Sequence, residues 1–400
     1  MIRISKDEVI SVLKDLVSIG SVNPDIEKGH GEIDVAKYIA EYCEKAGLKV
    51  ETQDVADGRF NVIATLKGSQ PGKTLMLNGH MDTVGIRNMS IDPFKPFIEN
   101  GRFHGRGASD MKGSIAAMMV ASKALSESGA SMKGNLVIST VAGEEYDNAG
   151  TKKMIDDPRY ARIADAVIVG EPTSLTLAIA HKGFALTEFT IRGRASHGSV
   201  PEAGIDAIEK TARIVLAIEA LKREYAAKKH ALLGSPKIHT SIIKGGREWS
   251  VIPDQCTLKV EARTIPKHEA KEVHRDLNRI IHRLASKDRD LKASVNLLYS
   301  GKSLETSKND PLVLGLESAF TRIKKRKPKL VGMPYYTEAS LFAEALRVPA
   351  CLMGAGDIRQ AHAADEYVRV NEVHELSMIY AEAAQGFGRV SVDRTGRRRK

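Results

Sequence analysis

Four short apolar runs each end on a loop that carries glycine and a histidine or carboxylate, and this coincidence constrains the fold more than any other feature of the chain. Leu75-Met76-Leu77 runs into Gly79-His80-Met81-Asp82, and Leu136-Val137-Ile138 into Gly143-Glu144-Glu145. Ala166-Val167-Ile168-Val169 runs into Gly170-Glu171-Pro172, and Val348 to Met353 leads into a glycine-containing loop that reaches His362. Apolar runs without alternation predict strands covered on both faces, as in a parallel sheet flanked by helices. In such sheets, sites form beyond the carboxyl ends of the strands. The pattern therefore gathers His80, Asp82, Glu144, Glu145, Glu171 and His362 at one sheet edge.

Elsewhere the texture differs. Residues 5–19 predict a helix: Ser5 and Glu8 read as a capping box, Val9, Leu13, Leu16 and Val17 recur at helical spacing, and Gly20 stops it. A second helix is expected over 33–46, ending at Gly47, with extended runs at 48–54 and 61–67. Between 181 and 300 the order is strand 185–192, helix 205–222, strands 237–243 and 256–263, helix 268–285 and strand 293–299. That β-α-β-β-α-β order matches a ferredoxin-like unit. The expected fold class is α/β, a mixed, largely parallel sheet flanked by helices, with an inserted ferredoxin-like α+β domain. The first domain spans 1–180 and resumes over 301–390; the insert spans 181–300; a basic tail over 391–400 is expected to lack order.

Taken singly, each polar residue has an ordinary structural role. A His-x-Asp loop, a histidine such as His362 and a helix-start carboxylate such as Asp110, in GRGASDMKG, are all common. An adjacent acidic pair, Glu144-Glu145, straight after an apolar strand has no folding purpose. Together the nitrogen and oxygen donors suit zinc, cobalt or manganese. Two histidines and three carboxylates could serve two metals if one carboxylate bridges them, and such a pair can bind hydroxide and polarise a carbonyl. One acid of the Glu144-Glu145 pair is then left for proton transfer.

Composition removes competing classes. Of the 400 residues, 42 % are hydrophobic and 28 % charged, which excludes a disordered or collagenous chain. No apolar stretch is long enough to span a membrane, and MIRISKDEVI does not read as a secretory signal. Three unpaired cysteines, Cys43, Cys256 and Cys351, fit a reducing cytoplasm. The net charge of +10 owes much to Arg394, Arg397, Arg398, Arg399 and Lys400 in the tail. Lys324-Lys325-Arg326-Lys327 forms a second basic run, but neither run interleaves aromatic residues for base stacking, which argues against a nucleic-acid partner.

The segments LMLNGHMDTVG, GRFHGRGASDMKG, VAGEEYDNAG, VIVGEPT, RASHGSVPEAG, SVIPD and AGDIRQAHAADEYV carry a resemblance. In this order, over roughly residues 5–385, the chain resembles the metal-dependent aminoacylase and metallopeptidase superfamily that contains acetylornithine deacetylase, succinyl-diaminopimelate desuccinylase and glutamate carboxypeptidase. The resemblance implies a zinc-exopeptidase-like catalytic domain with two divalent ions, zinc first, cobalt or manganese as alternatives. His80 and Glu171 would hold one ion, Glu145 and His362 the other, and Asp110 would bridge them, with its peptide bond to Met111 expected to be cis. Asp82 would orient His80, and Glu144 would act as general base and then acid. His197, in ASHG on the insert, would stabilise the oxyanion of a partner subunit, making a homodimer through 181–300. From the residues alone, His197 reads rather as a cap before the 205–222 helix.

Within that superfamily the substrate expected is an N-acyl amino acid or short peptide. Arg263, in VEART, matches an arginine that contacts a substrate carboxylate, with a strand-face salt bridge as the alternative. Ser250 stands where an asparagine usually precedes VIPD, which puts one contact in doubt. Phe184 follows Lys182-Gly183 where desuccinylases tend to carry arginine, whereas AHKG, YTEA and QAH look more like acetylornithine deacetylase. Thr337 and Glu338 would shape the pocket or form a turn. The competing readings are a di-, amino- or carboxypeptidase or a desuccinylase of the same superfamily, a metal-free binding protein on the same fold, and a nucleic-acid binder resting on the tail.

Overall fold

The computed structural model describes residues 2–387 apart from positions 30, 57 and 130, so the basic tail expected at 391–400 lies outside the described residues. The chain divides into two compact units. One takes Met1–Ile179, Thr306–Val331 and Thr337–Lys400, the other Ala180–Glu305 and Gly332–Tyr336. The short excursion at 332–336 has a local cause: the Lys182 N–H donates to the Met333 carbonyl at 3.1 Å.

In the first unit the sheet runs in the order Lys49–Ala56, Arg59–Leu66, Leu136–Val141, Leu75–His80, Ala166–Val169, Ala350–Leu352, Leu177–His181. The four strands that carry the apolar runs are neighbours and mutually parallel, and the flanking pairings are antiparallel. This is the mixed, largely parallel α/β sheet expected. Leu75–His80 and Leu136–Val141 are buried at every residue, as strands covered on both faces must be. Helix Lys6–Ser18 starts where Ser5 accepts the Glu8 N–H at 3.4 Å. The Glu8 carboxylate is turned away to Lys123, at 2.8 Å, so a lysine from another helix takes the partner that a capping box would use.

Helix Gly113–Glu127 crosses the sheet and packs on Val370–Gly386. It comes so close that a Cβ at Gly170 would lie 2.8 Å from the Ser114 Cβ. A side chain there would push the helix start, and Asp110 with it, off the strand ends. The buried Lys112 fixes the same segment from behind, donating to the Leu16 and Ile19 carbonyls at 2.9 and 2.7 Å, the open end of helix Lys6–Ser18.

The second unit is a four-stranded antiparallel sheet in the order Lys237–Gly245, Gln255–Thr264, Gly183–Arg192, Lys292–Gly301. With helices Ala207–Ala227 and Ala270–Ala285 between strands, this is the ferredoxin-like arrangement. Phe189, Ile218, Leu221, Tyr225, Leu258 and Leu277 form its core. The first helix runs five residues past its expected end at 222, because Tyr225 is buried and nothing in the sequence breaks the helix before Lys228.

Candidate metal centre

His80 ends its strand with the ring fully enclosed, 1 % exposed. Its Nδ1 lies 2.9 Å from the Asp82 carbonyl oxygen and 3.6 Å from the Asp82 carboxylate. A carbonyl can only accept, so Nδ1 carries the proton in the neutral ring and Nε2 keeps its lone pair. That Nε2 faces Asp110 Oδ1 at 3.1 Å and Glu171 Oε1 at 3.9 Å. On the other side of Asp110, His362 Nε2 lies 3.6 Å from Oδ2 and 3.1 Å from Glu145 Oε2. His80, Asp110 and Glu171 form one group of converging donors; Asp110, Glu145 and His362 form a second, with Asp110 in both. The Asp110–Met111 peptide bond is cis.

Asp82 does more than was expected of it. The ring of His80 leans on its carbonyl, while its carboxylate accepts the N–H groups of Glu144 and Glu145, each at 3.0 Å, and Asn23 Nδ2 at 2.7 Å. It therefore sets the main chain of the acidic pair. Glu32 supports the same loop: its buried carboxylate accepts the Gly143 N–H at 3.0 Å and a two-pronged contact from Arg59 at 2.7 and 2.9 Å.

The donor set fits a cation. Burial first, and mutual repulsion second, pushes the carboxyls of Glu144, Glu145 and Glu171 above the ordinary carboxylate range, against the opposing pull of His80. Burial would lower the His80 pKa, yet Asp110 and Asp82 carry it well above its usual value. Crowded acids and a histidine that hold protons this firmly are donors whose positive charge can be exchanged for a metal ion. Glu145 Oε1 is buried without a hydrogen-bond partner, an acceptor that a divalent ion would satisfy. Glu144 belongs to neither donor group, though its charge is felt by His80, Glu171 and Glu145.

The remaining predicted residues belong to neither donor group. Thr337 is buried, and its hydroxyl accepts the Ala339 N–H at 3.2 Å, so it serves the start of helix Ala339–Leu346. Its neighbour Glu338 is buried beside Thr151, whose hydroxyl donates to it, and burial pushes its carboxyl up to about 7. In the second unit, Arg263 projects from the sheet with Nε 2.7 Å from Glu261 Oε1. His197 is exposed; its Nδ1 accepts the Ser199 N–H at 3.1 Å, which leaves the proton of the neutral ring on Nε2. The loop of Ser250 is stapled to that of His197: Gly198 N–H donates to the Ser250 carbonyl at 2.7 Å and Ile252 N–H to the Ser196 carbonyl at 2.9 Å.

The sequence reading missed Asn23, Glu32, Arg59, Arg106 and Glu366, all buried around these loops. None sits in a donor-like spacing. The one available signal was a charged or amide residue inside an otherwise apolar neighbourhood, as Arg59 is at the head of Arg59–Leu66.

A family model described as Peptidase family M20/M25/M40 matches residues 76–386. The N-formyl-4-amino-5-aminomethyl-2-methylpyrimidine deformylase of Bacillus subtilis (strain 168) is 28% identical over 400 residues, covering 94% of this chain and 93% of its own. A probable succinyl-diaminopimelate desuccinylase of Staphylococcus aureus (strain MSSA476) is 26% identical over 416 residues, covering 96% and 98%. Solved structures share the fold. An aminopeptidase from Bacillus cereus ATCC 10987 superposes with a TM-score of 0.78 at 18% identity over 96% of this chain and 98% of its own. An M20 family metallo-carboxypeptidase from Sulfolobus solfataricus gives 0.74 at 20% identity over 95% and 99%. The family match starts in the strand that presents His80 and ends in the helix after His362, so it takes in both donor groups and the insert between them, and the chain belongs to peptidase family M20/M25/M40, as a hydrolase of amide or peptide bonds.

Proposed function

We propose that the chain is a two-metal deacylase that cleaves the amide bond of an N-acyl amino acid. The observation that carries the reading is the pair of donor groups sharing Asp110, with Glu144 beside them and outside both. His80, Asp110 and Glu171 would hold one ion and Asp110, Glu145 and His362 the other. Two divalent ions held there would supply Lewis acidity to the scissile carbonyl and to an attacking water. Glu144, its main chain fixed on Asp82, takes the proton from that water and returns it to the leaving amine. His197 presents an Nε2–H that can donate to the developing oxyanion, and we assign it to a partner subunit's site. Arg263 would exchange Glu261 for a substrate carboxylate, with Ser250 on the loop stapled to that of His197 and Thr337 holding the start of helix Ala339–Leu346.

The names of the curated relatives favour a deacylase. The curated relatives at 26% and 28% identity are named as a desuccinylase and a deformylase, each of which removes an acyl group from an amine. Phe184 in place of an arginine disfavours the succinyl group. The three buried free thiols are what a reducing compartment preserves, and we infer the cytoplasm. No helix among the described residues is long and apolar enough to cross a membrane.

The test is a hydrolysis screen of metal-stripped protein over N-acetyl, N-formyl and N-succinyl amino acids and dipeptides, with zinc, cobalt or manganese restored. Turnover that needs added metal and favours a small acyl group supports the reading. Full activity in the stripped protein removes the metal centre, and preference for dipeptides makes the chain a peptidase.

A further inference from the structure

Glu366 lies four residues beyond His362 and is 1 % exposed. Its Oε1 accepts the N–H groups of Ser109 and Asp110 at 2.8 and 3.0 Å. Its Oε2 accepts the Gly107 N–H at 2.9 Å and Arg106 Nη1 at 2.7 Å. All four donors belong to the segment that ends at Asp110. The Glu366 carbonyl adds the Gly105 N–H at 3.1 Å. Arg106, itself buried, turns its second arm to the Gly85 carbonyl at 3.2 Å, in the loop that follows His80 and Asp82. One buried ion pair thus joins three loops, those of His80, Asp110 and His362.

A buried carboxylate must have its lone pairs satisfied. Here three of the donors are backbone N–H groups, which have no rotamer to change, so the bonds fix main chain rather than a side chain. The consequence falls on Asp110, whose two oxygens face His80 at 3.1 Å and His362 at 3.6 Å. The two donor groups depend on this unequally. His80 and Glu171 stand at the ends of central strands and are buried. His362 stands on a loop, its side chain 55% exposed, with little packing to hold it. Its distance from Asp110 depends on what ties the two loops together.

We infer that Glu366 is a positioning residue of the metal centre. By clamping 106–110 to the loop of His362, it sets where Asp110 stands between the donor groups and so controls the affinity of the Asp110–Glu145–His362 group above all. The inference rests on reading the two groups as metal sites.

Glu366→Gln keeps the shape and one acceptor oxygen but turns an amide NH₂ toward a second set of donors. Metal-stripped native and variant proteins are titrated with cobalt, followed by visible absorption, and their apo melting temperatures are compared. The native protein is expected to fill in two phases. In the variant the weaker phase should lose about 10–100-fold in affinity, as is typical when a partner behind a ligand is removed, and its cobalt band should change. Unchanged affinities and an unchanged band overturn the inference whatever the melting temperature does, since a purely structural clamp would move only the latter. Native protein that binds no cobalt overturns the metal reading itself. Should Glu366→Gln fail to fold, Arg106→Lys keeps the charge and loses the arm to Gly85. A smaller loss in the same phase supports the clamp, and no loss overturns it.

Discussion

Asp82 places a carboxylate where two others must be aimed. Its three acceptor contacts, from Glu144 N–H, Glu145 N–H and Asn23 Nδ2, are bonds to an ionised group, the stronger kind. Asp82→Asn would turn one of those contacts donor to donor and loosen the acidic pair. Metal affinity and turnover should both fall, by about 10–100-fold, measurable by metal titration and steady-state kinetics. The pair itself divides by role. Glu144→Ala should keep both ions while losing about 10²–10⁴ in turnover, the usual share of proton transfer. Glu145→Ala should lower metal content instead, since its oxygen closes on His362. Metal analysis beside kcat separates the two, and the reverse pattern would exchange their assignments.

At the scale of elements, a helix cap and a buried histidine each set a measurable share of the stability. Helix Ala207–Ala227 begins at Asp206, whose side chain accepts the N–H groups of Ile208 and Glu209 at 2.7 and 3.0 Å. Asp206→Ala should cost about 1 kcal/mol of stability, read by denaturant melting, and leave metal binding alone. His181, last in the strand Leu177–His181, is buried with its ring edge-on to Tyr336, and burial pushes its pKa down to about 4. In the unfolded chain the ring takes a proton near pH 6.5. Between those values the unfolded state binds more protons, so stability is full above about 6.5 and falls as the pH drops toward about 4. His181→Phe should flatten that part of the pH profile in thermal melts taken from pH 7 to 4.

The whole molecule raises the question of a second copy. Both edge strands of the inserted sheet expose apolar side chains, Ile242 and Ile243 on one, Leu297, Leu298 and Tyr299 on the other. Unpaired, apolar edges invite pairing with another chain, and two-fold contacts are the commonest result. A homodimer is the expected outcome in sedimentation. If His197 serves the partner's site, His197→Ala and Glu144→Ala, each inactive, should regain partial activity when mixed, because some hybrid dimers hold one intact site. Confirmed subunit exchange without recovery would place His197 outside the reaction.

Sheet class and the candidate ligands were legible in the chain because both are local. An apolar run buried on two faces must be read over only a few residues, and a strand carries the loop after it, so His80, Glu145, Glu171 and His362 could be placed together from four short segments. The antiparallel unit was legible through the order of its strands and helices along the chain. What holds those ligands in place was not. Glu366 meets Ser109 across 257 residues of sequence, and Gly143 meets Glu32 across 111. No periodicity records a bond between such distant positions, because each partner's own neighbourhood looks ordinary. Asp82 is expected to orient a ring, and it also holds a loop, a choice made by the parallel pairing of Leu75–His80 with Leu136–Val141. The sequence determined which atoms could serve a cation; only the packing of distant loops decided how they are held, because those bonds join positions whose own neighbourhoods look ordinary.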